Sequence, residues 1–269
     1  MMDTQIEENV VIHNIGGREL KVDIFRPAHA SGPVQGLLFL PGGGWQTANR
    51  VPLKERYGMR MAEHGYVCVA GEYRVMDEAP WPAQIQDVKA TIRWMRASCE
   101  SLGIDPSAIV VGGKSEGGHL ALLAAGTRGL EAFEGQSGHT SVSSEVAGVI
   151  GIAPVADLTE WARRPTMAKL FGENPAADIV KAASPIAHVN PDHPPTLLVH
   201  GTADSRVPHA MTVRMYQALE QAGVPVDLCL YAGQDHFFDQ EAQFCDAIAN
   251  AMAFFIARFV PVQQPVTTV

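Results

Sequence analysis

The sequence carries few charged residues and lacks the patterns that mark several common classes of protein. Only 18% of its 269 residues are charged and 46% are hydrophobic, a balance typical of a globular chain. No run of about 18 uncharged apolar residues is present, so we expect no membrane-spanning helix. The N-terminus lacks a basic segment followed by an apolar one, which favours a cytoplasmic protein without a secretory signal.

Basic residues are also in the minority. The formal net charge of −9 at pH 7 repels phosphate backbones and anionic lipids, so neither nucleic acid nor a membrane is an expected partner. The sequence leaves open whether the chain forms a homo-oligomer. The four cysteines form no C-x-x-C pair, and we interpret them as reduced thiols packed among apolar neighbours: Cys68, Cys99, Cys229 and Cys245.

Signatures of metal and nucleotide binding are missing as well. There is no H-E-x-x-H motif and no clustered set of cysteines and histidines. Glycines 42–44 do not extend to a G-x-G-x-x-G motif, because position 47 is threonine, and no Walker lysine follows. We therefore expect neither a metal nor a cofactor.

Short apolar runs alternate with amphipathic stretches from residue 36 onward. Before them, alternating apolar residues around Gly16-Gly17 predict an antiparallel hairpin over 8–26. Apolar runs predict buried strands at 35–40, 66–70, 108–111, 146–153, 196–200 and 226–231. Periodicity and position in this alternation predict helices at 54–64, 82–97, 117–125, 210–222 and 244–259.

This pattern predicts an α/β fold with a mostly parallel central sheet, helices on both faces and an N-terminal antiparallel hairpin. Residues 102–108 (LGIDPSA) are predicted to be a loop. Residues 155–190 break the alternation and are expected to form a small irregular cap over the strand ends, where ligands bind in open α/β sheets. We expect a single domain over 1–269 with a flexible tail at 261–269.

A G-x-S-x-G motif, Gly113-Lys114-Ser115-Glu116-Gly117, stands between a predicted strand and a predicted helix. That context places a serine on a sharp, strained turn, where both flanking glycines are needed because a Cβ atom would clash. The turn lifts the serine oxygen above the sheet and aims the following N–H at developing negative charge. We predict that Ser115 is a catalytic nucleophile.

A glycine-rich loop, LPGGGW over 40–45, follows the first predicted central strand. Its position matches the loop that supplies half of an oxyanion hole, a set of N–H groups that stabilises a negatively charged oxygen. We predict that the N–H groups of Gly43, Gly44 and Glu116 form this hole. Trp45 is interpreted either as a wall of the substrate pocket or as a core residue.

A serine hydroxyl needs a base, and the base needs a carboxylate that fixes its tautomer. His236 follows the last predicted strand and Asp204 follows the strand at 196–200. The resulting order of serine, aspartate and histidine is the one typical of α/β-hydrolases. Other candidates rank lower: His119 as a packing or loop-holding residue, His200 as a satisfied core histidine, and Asp235, Asp239 and Glu241 as rival acids.

Several phrases in this order resemble the bacterial carbohydrate-esterase-like branch of the α/β-hydrolases, often called feruloyl and acetylxylan esterase-like, near the hormone-sensitive-lipase group. The resemblance covers about 8–258 and rests on LPGGGW, EYR at 72–74, GIDPSAIVVGGKSEGGHLA and HPPTLLVHGTAD. It implies hydrolysis of short-chain esters without a metal. It also implies a Ser–Asp–His triad on Ser115, Asp204 and His236.

Two positions depart from the pattern of that family. Position 41 is proline where the oxyanion loop usually opens with histidine, so the fixed φ of Pro41 is expected to stiffen the loop. Position 116 is glutamate where a small uncharged residue is usual. A carboxylate beside an oxyanion slows the reaction, and we expect Glu116 to point away from it or to contact a polar substrate group.

The sequence therefore predicts a serine carboxylesterase for a small-molecule ester, with short acyl groups and acetylated sugars as the expected substrates. One alternative is a serine amidase or peptidase, of the arylformamidase or prolyl-oligopeptidase type. Against an arylformamidase, the glycine-rich loop lacks the typical H-G-G-Y-W sequence. Against a prolyl oligopeptidase, only about 35 residues precede the central strands, which is too few for the N-terminal propeller of those enzymes. Another alternative is a non-catalytic ligand-binding protein, although all three triad candidates are present.

Overall fold

An eight-stranded sheet with the strand order β1-β2-β4-β3-β5-β6-β7-β8 lies at the centre of the protein. The computed structural model describes residues 4–30, 32–161 and 164–263. The strands are β1 (Gln5–Ile15), β2 (Arg18–Arg26), β3 (Val34–Leu40), β4 (Val67–Gly71), β5 (Ile104–Lys114), β6 (Gly148–Ile152), β7 (Thr196–Gly201) and β8 (Val226–Tyr231). Strands β1, β2 and β4 pair antiparallel, and all other neighbours pair parallel, which confirms the predicted sheet and hairpin.

Helices connect the parallel strands. They are α1 (Met59–Glu63), α2 (Ala83–Ala97), α3 (Cys99–Leu102), α4 (Glu116–Gly126), α5 (Glu131–Glu134), α6 (Pro165–Phe171), α7 (Ala177–Ala182), α8 (His209–Gln221) and α9 (Ala242–Phe259). The helix predicted at 54–64 begins with a π-helical turn, Lys54–Gly58, before α1. Within the described ranges, no helix is both long and apolar enough to cross a bilayer.

Two predictions of irregular structure are wrong. Residues 104–107 belong to β5 because Ile104 pairs with Val34, and the Asp105-Pro106 turn chemistry produces only a register shift in that ladder. The segment 155–190 contains the short helices α6 and α7 rather than irregular chain. Both helices are too brief to show a clear period in the sequence, although Pro165 opens α6 at a position that proline favours.

The core has two layers, one on each face of the sheet. Alternation along β3 sends Leu38 and Leu40 to the layer that contains residues of α2, α4 and α8, and sends Leu37 and Phe39 to the layer that contains residues of α1 and α9. All four side chains are fully buried. Alternate residues of β3 therefore pack against the helices on both faces of the sheet, which holds this strand in the middle of the core.

The carboxyl ends of the central strands meet at one edge of the sheet. Leu40 is in register with Gly113, and Lys114 is in register with Ile152. Because strand β3 lies between β4 and β5, the chain order reverses beside it, and open α/β sheets bind ligands at such a reversal. The loops after β3, β5, β7 and β8 all open there.

The predicted flexible tail at 261–269 is described only as far as Gln263. The backbone N–H of Gln263 donates a hydrogen bond to Asp105 Oδ2 at 2.7 Å, so the chain is tied to the sheet at that point. Positions 264–269 of the predicted tail lie outside the described residues.

Candidate active site

Ser115 occupies a strained turn between β5 and α4. Its backbone has φ 55° and ψ −118°, a conformation that non-glycine residues rarely adopt. Its N–H donates to the Ile152 carbonyl at 2.8 Å, which anchors the turn to β6. A Cβ at Gly117 would lie 2.5 Å from the Leu40 and Pro41 carbonyls, so this glycine lets α4 approach the end of β3.

His236 contacts both Ser115 and Asp204. Its Nε2 lies 3.1 Å from Ser115 Oγ, and its Nδ1 lies 2.6 Å from Asp204 Oδ2. A carboxylate only accepts hydrogen bonds, so Nδ1 carries the proton and Nε2 is free to accept the serine proton. The structure thus brings together three side chains that come from the ends of three different strands, at the separations that proton transfer requires.

Asp204 is held on both of its oxygens. Oδ1 accepts the backbone N–H groups of Arg206 and Val207, each at 2.9 Å, and Oδ2 lies 3.0 Å from Nε2 of His200. Burial acts to raise the pKa of Asp204, but hydrogen bonds from His200, His236 and the Val207 N–H outweigh it. The pKa of this carboxyl group is held well below its usual range, so Asp204 is ionised.

The lower-ranked candidates make other contacts. Asp235 is exposed and its Oδ1 accepts the Phe237 N–H at 2.8 Å, as expected for an acid that points away from the neighbouring histidine. Glu241 is exposed too, and it accepts a hydrogen bond from Gln243. His119 is buried with Nε2 2.8 Å from the Ala183 carbonyl, which confirms its predicted role in holding a loop.

Sequence reasoning missed a buried cluster next to the serine. Lys114 forms an ion pair with Asp239, and the Tyr57 hydroxyl donates to the same carboxylate at 3.0 Å. Asp239 has no exposed surface, and Arg56 lies 3.6 Å from it. The only signal in the sequence is a lysine inside the G-x-S-x-G motif, and nothing local shows that its partner lies 125 positions away.

The glycine-rich loop is held from two sides. Gly43 and Gly44 have φ values of 149° and 67°, and the Gly43 carbonyl accepts the Gln46 N–H at 3.1 Å, which closes a tight turn. The Tyr73 hydroxyl donates to the Pro41 carbonyl at 3.1 Å. The tyrosine of the E-Y-R phrase therefore fastens the loop that proline opens in this chain.

Of the two alternatives for Glu116, the first, that it points away from the oxyanion site, does not hold, and the second, contact with a polar substrate group, stays a prediction, since Glu116 lines the cavity above Ser115. Its side chain is buried, and burial raises its pKa to about 7 although its own backbone N–H, the Ser115 side chain and the N–H groups of Gly44 and Trp45 act to lower it. A Cβ built at Gly42 would lie 3.8 Å from Glu116 Oε1, so the carboxyl group lies beside the glycine-rich loop. Its Oε1 has no hydrogen-bond partner among the described residues. The reason is geometric, since the first turn of α4 faces the loop where Gly117 permits close approach.

A cavity of about 620 Å³ opens above Ser115. Its walls come from the glycine-rich loop, the 155–166 segment, the chain after Asp204 and the chain after His236. Trp45 lines this cavity, and at 1% exposure it is also a core residue. Among residues 4–30, 32–161 and 164–263, no group of three or more His, Cys, Asp or Glu side chains is placed to hold a metal ion.

Comparison with known proteins points to one family. The BD-FAE family model matches residues 22–219. Esterase LipQ of Mycobacterium tuberculosis is 35% identical over 257 residues, which cover 90% of this chain and 60% of LipQ. The probable carboxylic ester hydrolase LipM of the same organism is 32% identical over 201 residues, covering 71% of this chain and 47% of LipM. This chain thus spans about half the length of these relatives.

Solved structures match over nearly the whole chain. A truncated form of a carbohydrate esterase from gut microbiota superposes with a TM-score of 0.83 at 27% identity, covering 94% of this chain and 96% of that chain. Esterase Est2 of Thermogutta terrifontis, with propionate bound, superposes with a TM-score of 0.79 at 29% identity, covering 95% and 96%.

Proposed function

Because the chain belongs to the BD-FAE family of the α/β-hydrolases, we propose that it is a serine carboxylesterase for short-chain esters, acetylated sugars among them. The observation that carries the proposal is the continuous hydrogen-bonded path from Ser115 through His236 to Asp204 at the floor of the cavity. The esterase names of the relatives and of the structural neighbours support it.

The first step follows from the tautomer of His236. Its unprotonated Nε2 faces Ser115 Oγ at 3.1 Å, so it takes the hydroxyl proton as the oxygen attacks the ester carbonyl. The ionised Asp204 then stabilises the imidazolium that forms, since its Oδ2 lies 2.6 Å from Nδ1. His236 next gives its proton to the leaving alcohol. Water repeats the sequence on the acyl-enzyme and releases the acid.

Negative charge develops on the carbonyl oxygen during both halves of the reaction. In this proposal the N–H groups of Gly43, Gly44 and Glu116 receive it, and one such donor is worth about 100- to 1000-fold in rate. The carboxyl group of Glu116 occupies neighbouring space, and its pKa of about 7 leaves it substantially protonated at neutral pH. Protonation removes the repulsion that an ionised group would impose on the oxyanion.

In this proposal a short acyl group lies beside Ser115, where the glycine-rich loop and the buried Trp45 line the cavity. Est2 has been solved with propionate and with butyrate bound, and the gut microbiota neighbour is titled a carbohydrate esterase. These likenesses support short acyl esters of polyols as the substrate class.

We take residues 1–269 as one catalytic domain in which 155–190 act as a small cap, because Val155, Trp161 and Thr166 line the cavity.

We also propose a cytoplasmic location for the protein. This location is supported by four free thiols, which a reducing compartment preserves.

Hydrolysis of 4-nitrophenyl esters from acetate to dodecanoate tests the proposal, with wild type beside Ser115→Ala. We expect wild type to cleave acetate and butyrate and the rate to fall steeply for longer chains. Ser115→Ala should lose at least about 1000-fold in kcat. Ser101→Ala, at an exposed position of α3, is the matched control and should behave as wild type. Equal activity of Ser115→Ala and wild type would refute the proposal.

A further inference from the structure

The accessible charges of the cavity have one sign, although the protein as a whole carries a net charge of −9. Its accessible charged lining residues are three arginines, Arg56, Arg164 and Arg206, because Lys114 is only 5% exposed and burial lowers its pKa to about 7. The two carboxylates that also line it, Glu116 and Asp239, are 1% and 0% exposed. A molecule that enters the cavity therefore meets cationic groups and not carboxylates.

Two of these cations have no acidic partner among the described residues. Arg56 and Lys114 both lie against Asp239, whereas Arg164 and Arg206 are exposed and form no ion pair there. Each instead lies over an aromatic ring, Arg164 at 4.0 Å from the centre of Trp161 and Arg206 at 4.8 Å from that of Phe237. Stacking of this kind holds a guanidinium along a wall while its N–H donors stay available.

The position of Arg206 indicates which half of the ester its guanidinium group faces. Phe237, which Arg206 covers, has its ring centre 5.3 Å from that of His236. His236 protonates the leaving oxygen, so the alcohol half of the ester must lie on the side of His236. Through Phe237, Arg206 therefore lies on the His236 side of the cavity, which is the side that the departing alcohol faces. Asp235 does not line the cavity, and its Oδ1 accepts the Phe237 N–H.

We propose that the preferred substrate carries a carboxylate on its alcohol half: a short-chain acyl ester of a hydroxy acid or of a sugar acid, bound through Arg206 and Arg164. A planar guanidinium matches a carboxylate with two parallel hydrogen bonds, which a neutral hydroxyl cannot reproduce. This inference rests on the proposed esterase function and narrows its substrate class.

A matched pair of acetate esters tests it: 3-acetoxybenzoate, which is an anion at neutral pH, and 3-acetoxybenzamide, which is neutral and of the same shape. The quantity compared is the ratio of their kcat/KM values, each divided by the rate of uncatalysed hydrolysis at the same pH. We expect wild type to favour the anion by about tenfold or more. Arg206→Gln should lower this ratio about fivefold, and Arg164→Gln should lower it by a smaller factor.

Arg128→Gln is the control, because it removes the same charge at an exposed arginine that pairs with Glu145 and does not line the cavity. Its ratio should equal that of wild type. A ratio near one in wild type, with both esters cleaved and Ser115→Ala inactive, would overturn the carboxylate inference alone. So would an equal fall in Arg128→Gln and Arg206→Gln. If Ser115→Ala cleaves both esters as fast as wild type, the proposed esterase function fails as well.

Discussion

His200 and His236 contact the same oxygen atom of Asp204. Nε2 of His200 lies 3.0 Å from Oδ2, and Nδ1 of His236 lies 2.6 Å from it. Nε2 of His200 is also 3.0 Å from the Val207 carbonyl, so it must be the protonated nitrogen, and Nδ1 accepts from the Thr212 hydroxyl at 2.7 Å. A fully buried histidine thus restrains the carboxylate that orients the proposed base.

Removal of the second histidine should slow the reaction. In His200→Leu, Oδ2 of Asp204 keeps only the His236 donor, so we expect kcat to fall about tenfold with little change in KM. The acid limb of the pH profile of kcat/KM should move to higher pH, because a carboxylate with fewer donors stabilises the imidazolium more strongly. His209→Leu, whose ring lies 6.5 Å from His200, is the control. An unshifted profile would assign His200 a purely structural role.

Glu116 should make the protein less stable as the pH rises. Its pKa is about 7 in the folded protein against a usual value of 4.5, so the native state holds the proton more tightly than the unfolded chain. The contribution of Glu116 to the free energy of unfolding is therefore greatest below pH 4.5 and falls between 4.5 and about 7.

Glu116→Gln removes this dependence without a change of shape. The quantity compared is the free energy of unfolding of Glu116→Gln minus that of wild type. This difference should increase by about 3 kcal/mol at most between pH 5 and pH 8. Urea denaturation at the two pH values measures the difference, with Glu131→Gln at an exposed position of α5 as the control. A difference that is the same at both pH values would contradict the burial of an ionisable group at this position.

The same carboxyl group should restrain catalysis at alkaline pH. An ionised Glu116 beside the Gly44 and Trp45 N–H groups opposes the oxyanion, so Glu116→Ala should raise kcat/KM on 4-nitrophenyl acetate by about tenfold at pH 8.5. At pH 6, where Glu116 is protonated, the gain should be small. The ratio of variant to wild type across this range is the measurement. A loss confined to hydroxyl-rich substrates would instead indicate that Glu116 binds them.

The ion pair of Lys114 and Asp239 should stabilise the fold around the serine. Asp239→Asn leaves Lys114 buried without its partner and should cost about 3 kcal/mol in the free energy of unfolding. Lys114→Met should cost less, because Asp239 keeps Arg56 at 3.6 Å and the Tyr57 hydroxyl at 3.0 Å. The double variant should lose much less than the sum of the two. Urea denaturation of the four proteins measures the coupling, and strictly additive losses would show that the charges do not stabilise one another.

An ion pair on the protein surface provides the comparison for the coupling between Lys114 and Asp239. Arg258 and Asp227 form an ion pair at 2.8 Å with side chains that are 43% and 32% exposed. Water screens such a pair, so its coupling should be about 0.5 kcal/mol or less. A coupling as large as that expected for Lys114 and Asp239 would show that burial is not what strengthens the inner pair.

The amino-acid sequence is sufficient to predict the features that depend on neighbouring residues. The alternation of apolar runs predicted the sheet, and the turn over Gly113–Gly117 predicted a strained serine, because these are properties of short segments. The order of motifs also indicated Asp204 and His236, and the structure brings both within hydrogen-bonding distance of the expected partners. Residues 104–107 show the limit, since turn chemistry at Asp105-Pro106 hid a strand that only pairing with β3 reveals.

The surroundings of those residues depend on how distant parts of the chain pack together. The pairing of Lys114 with Asp239 and the inward turn of Glu116 toward the glycine-rich loop join groups from separate elements. Their energies depend on distance and burial, which no local pattern encodes. The arginines of the cavity are likewise brought together by loops that follow different strands. A sequence indicates which groups can react, and the packing of distant elements sets their protonation and the charge that a substrate meets.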